Sequence, residues 1–139
     1  MPNIQSRDGT PIHVKEMGSG RPVVLIHGWP LTGDMWEYQT VALVEAGFQV
    51  ITYDRRGFGH SSHPATGYDY DTFADDLADL IDKLDVPQVA LVGFSMGGGE
   101  IARYLTRHGA AKVSRARVAS GSTISIVYTS RTSSPRIAA

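Results

Sequence analysis

One short stretch constrains the fold of this chain more than any other feature. Residues 93–100, GFSMGGGE, directly follow the apolar run VALV and directly precede a segment with helical spacing. A strand that turns straight into a helix places Ser95 at the apex of a sharp turn, in a strained backbone conformation that flanking glycines make room for. The stretch therefore predicts a strand–turn–helix unit, with Gly93, Gly97 and Gly98 as its structural support.

Strands and helices alternate along the rest of the chain. Two short strands are predicted around the turn at Asp8 and Gly9, and apolar strands at 22–26, in FQVITYD and at 88–92. Helices are predicted in DMWEYQTVALVEAG, DYDTFADDLADLIDKLD and SMGGGEIARYLTRHG. Their expected apolar stripes are Trp36, Val41 and Val44 in the first helix, and Phe73, Leu77, Leu80, Ile81 and Leu84 in the second. The alternation predicts a three-layer α/β fold with a mostly parallel sheet and an antiparallel N-terminal hairpin.

The pattern weakens beyond Ala116. The next strand should be as apolar as QVALV, yet it reads SRARVASGS, and Arg117 would sit in the middle of a buried strand. Nine of the residues from Ser120 to Ala139 are Ser or Thr, which favours disorder, although STISIVYT could pair as a strand. We therefore predict one domain over 1–116, truncated after about the sixth strand, and a disordered basic tail over 117–139.

Composition narrows the classes of protein. The net charge is −1, but residues 1–100 carry −8 and residues 101–139 carry +7. The basic residues are scattered among Ser and Thr, so a nucleic-acid partner is not expected. No apolar run approaches the roughly 18 residues of a membrane span, and MPNIQSRDG has no signal-peptide pattern. The chain has no cysteine, and we expect a cytoplasmic protein without a membrane partner.

Ser95 is the candidate nucleophile. At the start of a helix, the helix dipole and the Met96 N–H can stabilise an oxyanion, and a second N–H normally comes from a loop after an earlier strand. That loop is HGWP, residues 27–30, and its candidate donor is the N–H of Trp29. The alternative is a glycine-rich turn with a helix-capping serine.

The other polar residues favour structural roles. His27 and Gly28 are expected to support the loop, and Asp54 and Arg56 to hold the next loop by an ion pair. His60, His63 and His13 are expected on the surface, and His108 in the last turn of a helix. Asp54 is disfavoured as a catalytic acid because no partner histidine is recognisable. No metal site is predicted, because no cluster has metal-ligand spacing.

Three motifs together carry a family resemblance. HGWPLTGDMWEYQ, YDRRGFGHSS and GFSMGGGE resemble the non-haem haloperoxidase and arylesterase branch of the α/β-hydrolase superfamily. The resemblance covers residues 1–116 and implies an eight-stranded sheet and a Ser–Asp–His triad without cofactor. It implies that Ser95 is acylated by a small carboxylic ester and that water, or hydrogen peroxide in perhydrolases, releases the acyl group.

The same resemblance implies a triad acid and base after Ser95, and the sequence supplies neither. No Asp or Glu follows Glu100, and the only later histidine is His108, roughly 20 Å from Ser95 along a helix. We therefore predict an inactive or impaired hydrolase. The alternative is a non-catalytic chain that binds acyl compounds or pairs with a subunit, as a homo-oligomer or with a complementing chain.

Overall fold

The computed structural model describes residues 3–120 and 123–130. Its strands are β1 (Asn3–Gln5), β2 (Pro11–Met17), β3 (Arg21–Ile26), β4 (Phe48–Tyr53), β5 (Val89–Phe94), β6 (Val113–Ser120) and β7 (Thr123–Thr129). Its helices are α1 (Glu37–Glu45), α2 (Tyr70–Leu84) and α3 (Met96–His108), and a 3-10 turn, Gly33–Trp36, precedes α1. No helix of these residues is long and apolar enough to cross a membrane.

The strands form one sheet in the order β1-β2-β4-β3-β5-β6-β7. The four central strands, β4, β3, β5 and β6, are parallel, whereas β1, β2 and β7 join in antiparallel pairs. The predicted hairpin is confirmed, and Gly9 supplies the positive φ (85°) that its turn requires. The carboxyl ends of β3, β4 and β5 therefore meet at one edge of the sheet, where a parallel α/β protein places its site.

Apolar side chains alternate between the two faces of the sheet. Along β3, Val24 and Ile26 pack in the core with α2 and α3, whereas Val23 and Leu25 pack with Trp36 on the opposite face. This arrangement confirms the predicted layers of helix, sheet and helix. In α2, the predicted stripe is buried apart from Leu84, which is half-buried.

The predicted stripe of the first helix is wrong at Val41. Val41 is 53% exposed, and Thr40 is the buried residue of α1. The physical reason is that Trp36 belongs to the 3-10 turn, which has three residues per turn. Counting helical positions from Trp36 therefore gives the wrong buried face for α1.

The predicted boundary at Ala116 does not interrupt the strand. β6 continues through Arg117 to Ser120, and β7 pairs with it antiparallel, with Ala119 opposite Ile124. Arg117 is half-buried, so its charge keeps contact with solvent and avoids the full penalty of burial. Disorder is thus corrected for 117–120 and 123–129, and the sheet has seven strands; the disorder predicted for 131–139 lies outside the described residues.

Candidate active site

Ser95 lies at the junction of β5 and α3 in a strained conformation. Its φ of 53° and ψ of −110° are values that residues with a side chain rarely adopt. A Cβ on Gly93 would lie 2.6 Å from the carbonyl carbon of Gly97, and a Cβ on Gly97 would lie 2.5 Å from the Ile26 carbonyl oxygen. The flanking glycines therefore let α3 start against β3, as the sequence predicts.

Gly98 fits the same explanation on the other side of the turn. A Cβ there would lie 2.5 Å from Cγ1 of Val118, so its absence lets α3 approach β6. Gly99 differs, because the atoms nearest to its added Cβ belong to the side chain of Tyr70, with Cε1 at 2.8 Å, and that side chain is partly exposed.

The side chain of Ser95 does not cap the helix that follows it. Ser95 occupies the N-cap position of α3, yet it makes no side-chain capping hydrogen bond. Its residue is exposed at the edge of the sheet. The alternative of a capping serine is therefore wrong, and the hydroxyl is available to a ligand.

The loop after β3 lies against the turn. Ile26 pairs with Gly93 in the sheet, and a Cβ on Gly28 would lie 2.8 Å from the ring of Phe94. The loop that carries Trp29 is thus adjacent to the residues that precede Ser95. The indole of Trp29 is 67% exposed, so the residue contributes little to the core.

The predicted oxyanion donors are backbone N–H groups of Trp29 and Met96. Met96 is the first residue of α3, where a helix leaves its N–H groups without intrahelical partners. Across the part of the chain that the structure describes, neither N–H donates to a backbone carbonyl in a turn, loop or cap. Both groups keep the donor capacity that the prediction requires.

Residues 21–136 match the family described as alpha/beta hydrolase fold. The chain belongs to this family. It is 57% identical over 113 residues to the non-heme chloroperoxidase CPO-A1 of Kitasatospora aureofaciens, covering 81% of this chain and 41% of that protein. It is 40% identical to the bifunctional esterase/perhydrolase DCH of Acinetobacter calcoaceticus, covering 76% of this chain and 39% of that protein.

Solved structures of alpha/beta hydrolases agree with the fold. An esterase from Exiguobacterium antarcticum superposes with a TM-score of 0.83 at 48% identity, covering 86% of this chain and 45% of that one. The resemblance to the haloperoxidase and esterase branch is therefore confirmed. The chain spans about two-fifths of the length of the curated relatives it matches.

His27 supports the loop after β3 through both ring nitrogens. Its ring is fully buried, Nδ1 donates to the Gly28 carbonyl oxygen at 2.9 Å, and Nε2 accepts from the Arg55 N–H at 2.9 Å. Burial, with the charge of Arg55, lowers the pKa of His27 to about 4. The imidazole is therefore neutral at pH 7 and already engaged, which agrees with the predicted structural role.

A buried ion pair lies beneath the turn, and the sequence did not predict it. Arg55 Nε donates to Glu100 Oε2 at 2.8 Å, Arg55 Nη2 donates to the His27 carbonyl at 2.7 Å, and Tyr53 Oη donates to Glu100 Oε1. Burial raises the pKa of Glu100, and Arg55 opposes that rise. The cluster ties α3 to the loop that follows β3. The sequence did contain one sign of this pair. Glu100 falls on the buried face of the predicted helix, where a carboxylate needs a buried partner.

The predicted pair of Asp54 and Arg56 is wrong. Arg56 instead binds both carboxylate oxygens of Asp76 at 2.7 Å and also pairs with Asp8 at 2.9 Å. Asp54 accepts the backbone N–H groups of Gly33 and His60, each at 2.8 Å. Both residues do hold the loop, but β4 ends at Tyr53 and the chain enters a turn at Arg56, so the two side chains leave the strand pattern and find partners on different elements.

His108 lies where the sequence predicts, in the last turn of α3. Its Nε2 is 2.7 Å from Oδ1 of Asp75, and its ring stacks on Tyr104. Since α3 is continuous, His108 is on the order of 20 Å from Ser95 along the helix axis. His108 is therefore excluded as the base for Ser95.

Two of the remaining histidines, His13 and His60, lie near Asp54. His60 and His63 are exposed loop residues, as predicted, but His13 is half-buried and its ring packs on that of His60, 5.0 Å between centroids. His60 Nδ1 is 3.5 Å from Oδ2 of Asp54. The sequence showed no partner histidine for Asp54 at a recognisable position, and the structure supplies His60, because the loop after β4 turns back on itself within six residues.

Proposed function

We propose that this chain carries the nucleophile and oxyanion hole of a serine esterase. The same acyl-enzyme could react with hydrogen peroxide instead of water, which is the perhydrolase reaction of non-haem haloperoxidases. The observation that carries the proposal is the strained, uncapped Ser95 at the junction of β5 and α3. Relatives named as a chloroperoxidase and as a bifunctional esterase/perhydrolase support the reaction class.

The proposed chemistry is acyl transfer to Ser95. Its Oγ attacks the carbonyl carbon of a small carboxylic ester, and the carbonyl oxygen gains the negative charge that the Trp29 and Met96 N–H groups stabilise. The alcohol leaves with a proton, and water then releases the acid, or hydrogen peroxide releases a peracid. No cofactor takes part in these steps.

The buried acid and the buried histidine beneath the turn are not free to take the proton of Ser95. Glu100 is the last acid in the sequence and is held by Arg55, while both ring nitrogens of His27 are engaged. A serine without a base is a poor nucleophile, and loss of triad members typically lowers turnover by on the order of 10⁴ to 10⁶. We propose that turnover needs an acid and a base from outside these residues.

Covalent labelling tests the nucleophile separately from turnover. The intact chain is treated with a fluorophosphonate and compared with Ser95→Ala and with Ser62→Ala, which removes an exposed loop serine as a matched control. We expect one adduct by mass spectrometry in the original chain and in Ser62→Ala, formed slowly because no base activates Ser95, and none in Ser95→Ala. Equal labelling of all three would remove Ser95 as the nucleophile.

The engagement of Glu100 by Arg55 and of both ring nitrogens of His27 favours a second candidate, a chain that binds acyl compounds or pairs with a complementing chain. The test is to add the C-terminal part of a full-length relative and to assay aryl acetate hydrolysis. A gain in rate that Ser95→Ala abolishes supports complementation. No gain, with ester analogues still bound in a Ser95-dependent way, supports the non-catalytic candidate.

A further inference from the structure

Three side chains that are distant in sequence meet beside β2 and β4. His13 lies in β2, Asp54 directly follows β4, and His60 lies in the next loop. One ligand atom from each, the imidazole nitrogens and a carboxylate oxygen, lies within 4.8 Å of the other two. The separations of 41 and 6 residues fit no local metal motif, which is why the sequence predicted no site.

The backbone holds the three residues in place. Val14 pairs with Tyr53 in the sheet, and the Asp54 N–H donates to the His13 carbonyl at 3.0 Å. The His13 N–H in turn donates to Oγ of Ser61 at 2.8 Å, next to His60. The cluster is therefore built on paired strands and a bonded loop, as a preorganised site requires.

Asp54 is the fixed member of the cluster. Its carboxylate is nearly buried and accepts one backbone N–H at each oxygen, from Gly33 and from His60. A carboxylate oxygen has a second lone pair, so each oxygen can still bind a cation. These bonds orient the carboxylate as outer-shell partners orient ligands in known metal sites.

The spacing is close to what a metal ion needs. Bonds of 2.0–2.1 Å in a tetrahedral zinc site place ligand atoms about 3.4 Å apart. His60 Nδ1 and Asp54 Oδ2 are already 3.5 Å apart. The side chain of His60 is 71% exposed, so a small rotation can close the remaining gap without disturbing the core.

We propose that His13, Asp54 and His60 form a binding site for one divalent transition-metal ion, such as Zn²⁺, Ni²⁺ or Cu²⁺. Two imidazoles and one carboxylate suit these ions, whereas Mg²⁺ and Ca²⁺ prefer oxygen ligands. The neighbouring ammonium of Lys15 does not oppose a cation strongly, because it pairs with Asp34 at 2.7 Å. We expect water to fill the remaining coordination positions on the side of the exposed His60.

This site is separate from the proposed nucleophile. β4 lies two strands from β5 in the sheet, which puts the cluster on the order of 10 Å from the strand that ends at Ser95. Metal binding can therefore be measured without any assay of ester hydrolysis.

The proposal is tested by calorimetric titration of ZnCl₂ into the full 139-residue chain, purified without a histidine tag. The variants are His60→Ala and His13→Gln, and the matched control is His63→Ala, an exposed histidine three residues from His60. We expect one equivalent of Zn²⁺ in the original chain and in His63→Ala. Loss of an outer-shell partner costs roughly 10- to 100-fold in metal affinity, so loss of a ligand should cost at least that much.

A spectroscopic readout counts the ligands directly. In the Cu²⁺ complex, electron paramagnetic resonance should show two nitrogen ligands in the original chain and one in His60→Ala. No binding by the original chain, equal affinity of all four proteins, or loss of binding in His63→Ala would each overturn the site. Circular dichroism of each variant checks that a loss of affinity is not a loss of folding.

Discussion

The region beneath Ser95 and the region formed by β6 and β7 accommodate charge in different ways. Beneath the turn, Arg55 and Glu100 are each 1% exposed and meet at 2.8 Å. In β6, Arg115 and Arg117 are half-buried, and across residues 3–120 and 123–130 no ion pair includes either of them. The first region depends on one specific partner for each charge, whereas the second depends on solvent.

The two regions also differ in how their backbone is held, by specific side chains in the first and by strand pairing in the second. α3 starts where only glycine fits against β3 and β6, and its buried acid bonds to the loop after β3. β6 and β7 are held by a ladder of backbone pairs with a register irregularity at Ala116 and Arg117. Side-chain identity should therefore matter more for stability in the first region than in the second, and the following variants test that ordering.

Glu100→Gln should have the largest effect. The substitution keeps the shape of the side chain but leaves the buried guanidinium of Arg55 without its counter-charge, which costs about 3–5 kcal/mol of unfolding free energy. Urea denaturation followed by circular dichroism measures the change. The control is Arg103→Gln, which breaks an ion pair with Asp71 at the surface and should leave the midpoint almost unchanged. A similar, small change in both variants would mean that the buried pair contributes no more to stability than an ion pair at the surface.

Gly97→Ala should follow, at about 3 kcal/mol, the upper end of the usual cost of overpacking. The added methyl would meet the Ile26 carbonyl oxygen at 2.5 Å, and a backbone atom in a central strand cannot rotate away. Gly99→Ala is the matched control on the same helix, because the atoms nearest to its methyl belong to the partly exposed side chain of Tyr70 and Ala favours the helix. The thermal midpoints of the two variants should therefore move in opposite directions or by very different amounts; equal shifts would contradict the argument.

The same difference explains what the sequence could and could not predict. The turn at Ser95 was predictable because it joins a strand and a helix that adjoin in sequence, and because the close contact of Gly93 with Gly97 lies within that unit. The pair of Arg55 and Glu100 was not, since it joins positions 45 residues apart and depends on the crossing of β4 and α3. The sequence favoured disorder where β7 forms. Strand pairing satisfies the backbone N–H and C=O groups whatever the side chains are, so a Ser- and Thr-rich segment can still complete a sheet.

His27 makes a further prediction, on pH. Its pKa is about 4 in the fold against an ordinary value of 6.5, so the unfolded chain binds more protons between these values. Stability is therefore present above pH 6.5 and falls as the pH decreases toward 4, by about 2 kcal/mol between pH 7.5 and pH 5. The measurement is the unfolding free energy across this range for the original chain and for His27→Gln. The difference between the two proteins isolates His27, and parallel pH profiles would show that its ring is not buried in neutral form.

Arg117→Val should have the smallest effect and bears most directly on the second region. If the half-buried arginine makes no specific interaction, its replacement by a β-branched residue should stabilise β6 slightly, by less than about 1 kcal/mol. The same urea denaturation measures this change. A loss of more than about 2 kcal/mol would mean that Arg117 has a specific partner, because ordinary surface substitutions do not cost that much. The two regions would then follow one rule, and the large effect at Glu100 would reflect burial depth alone.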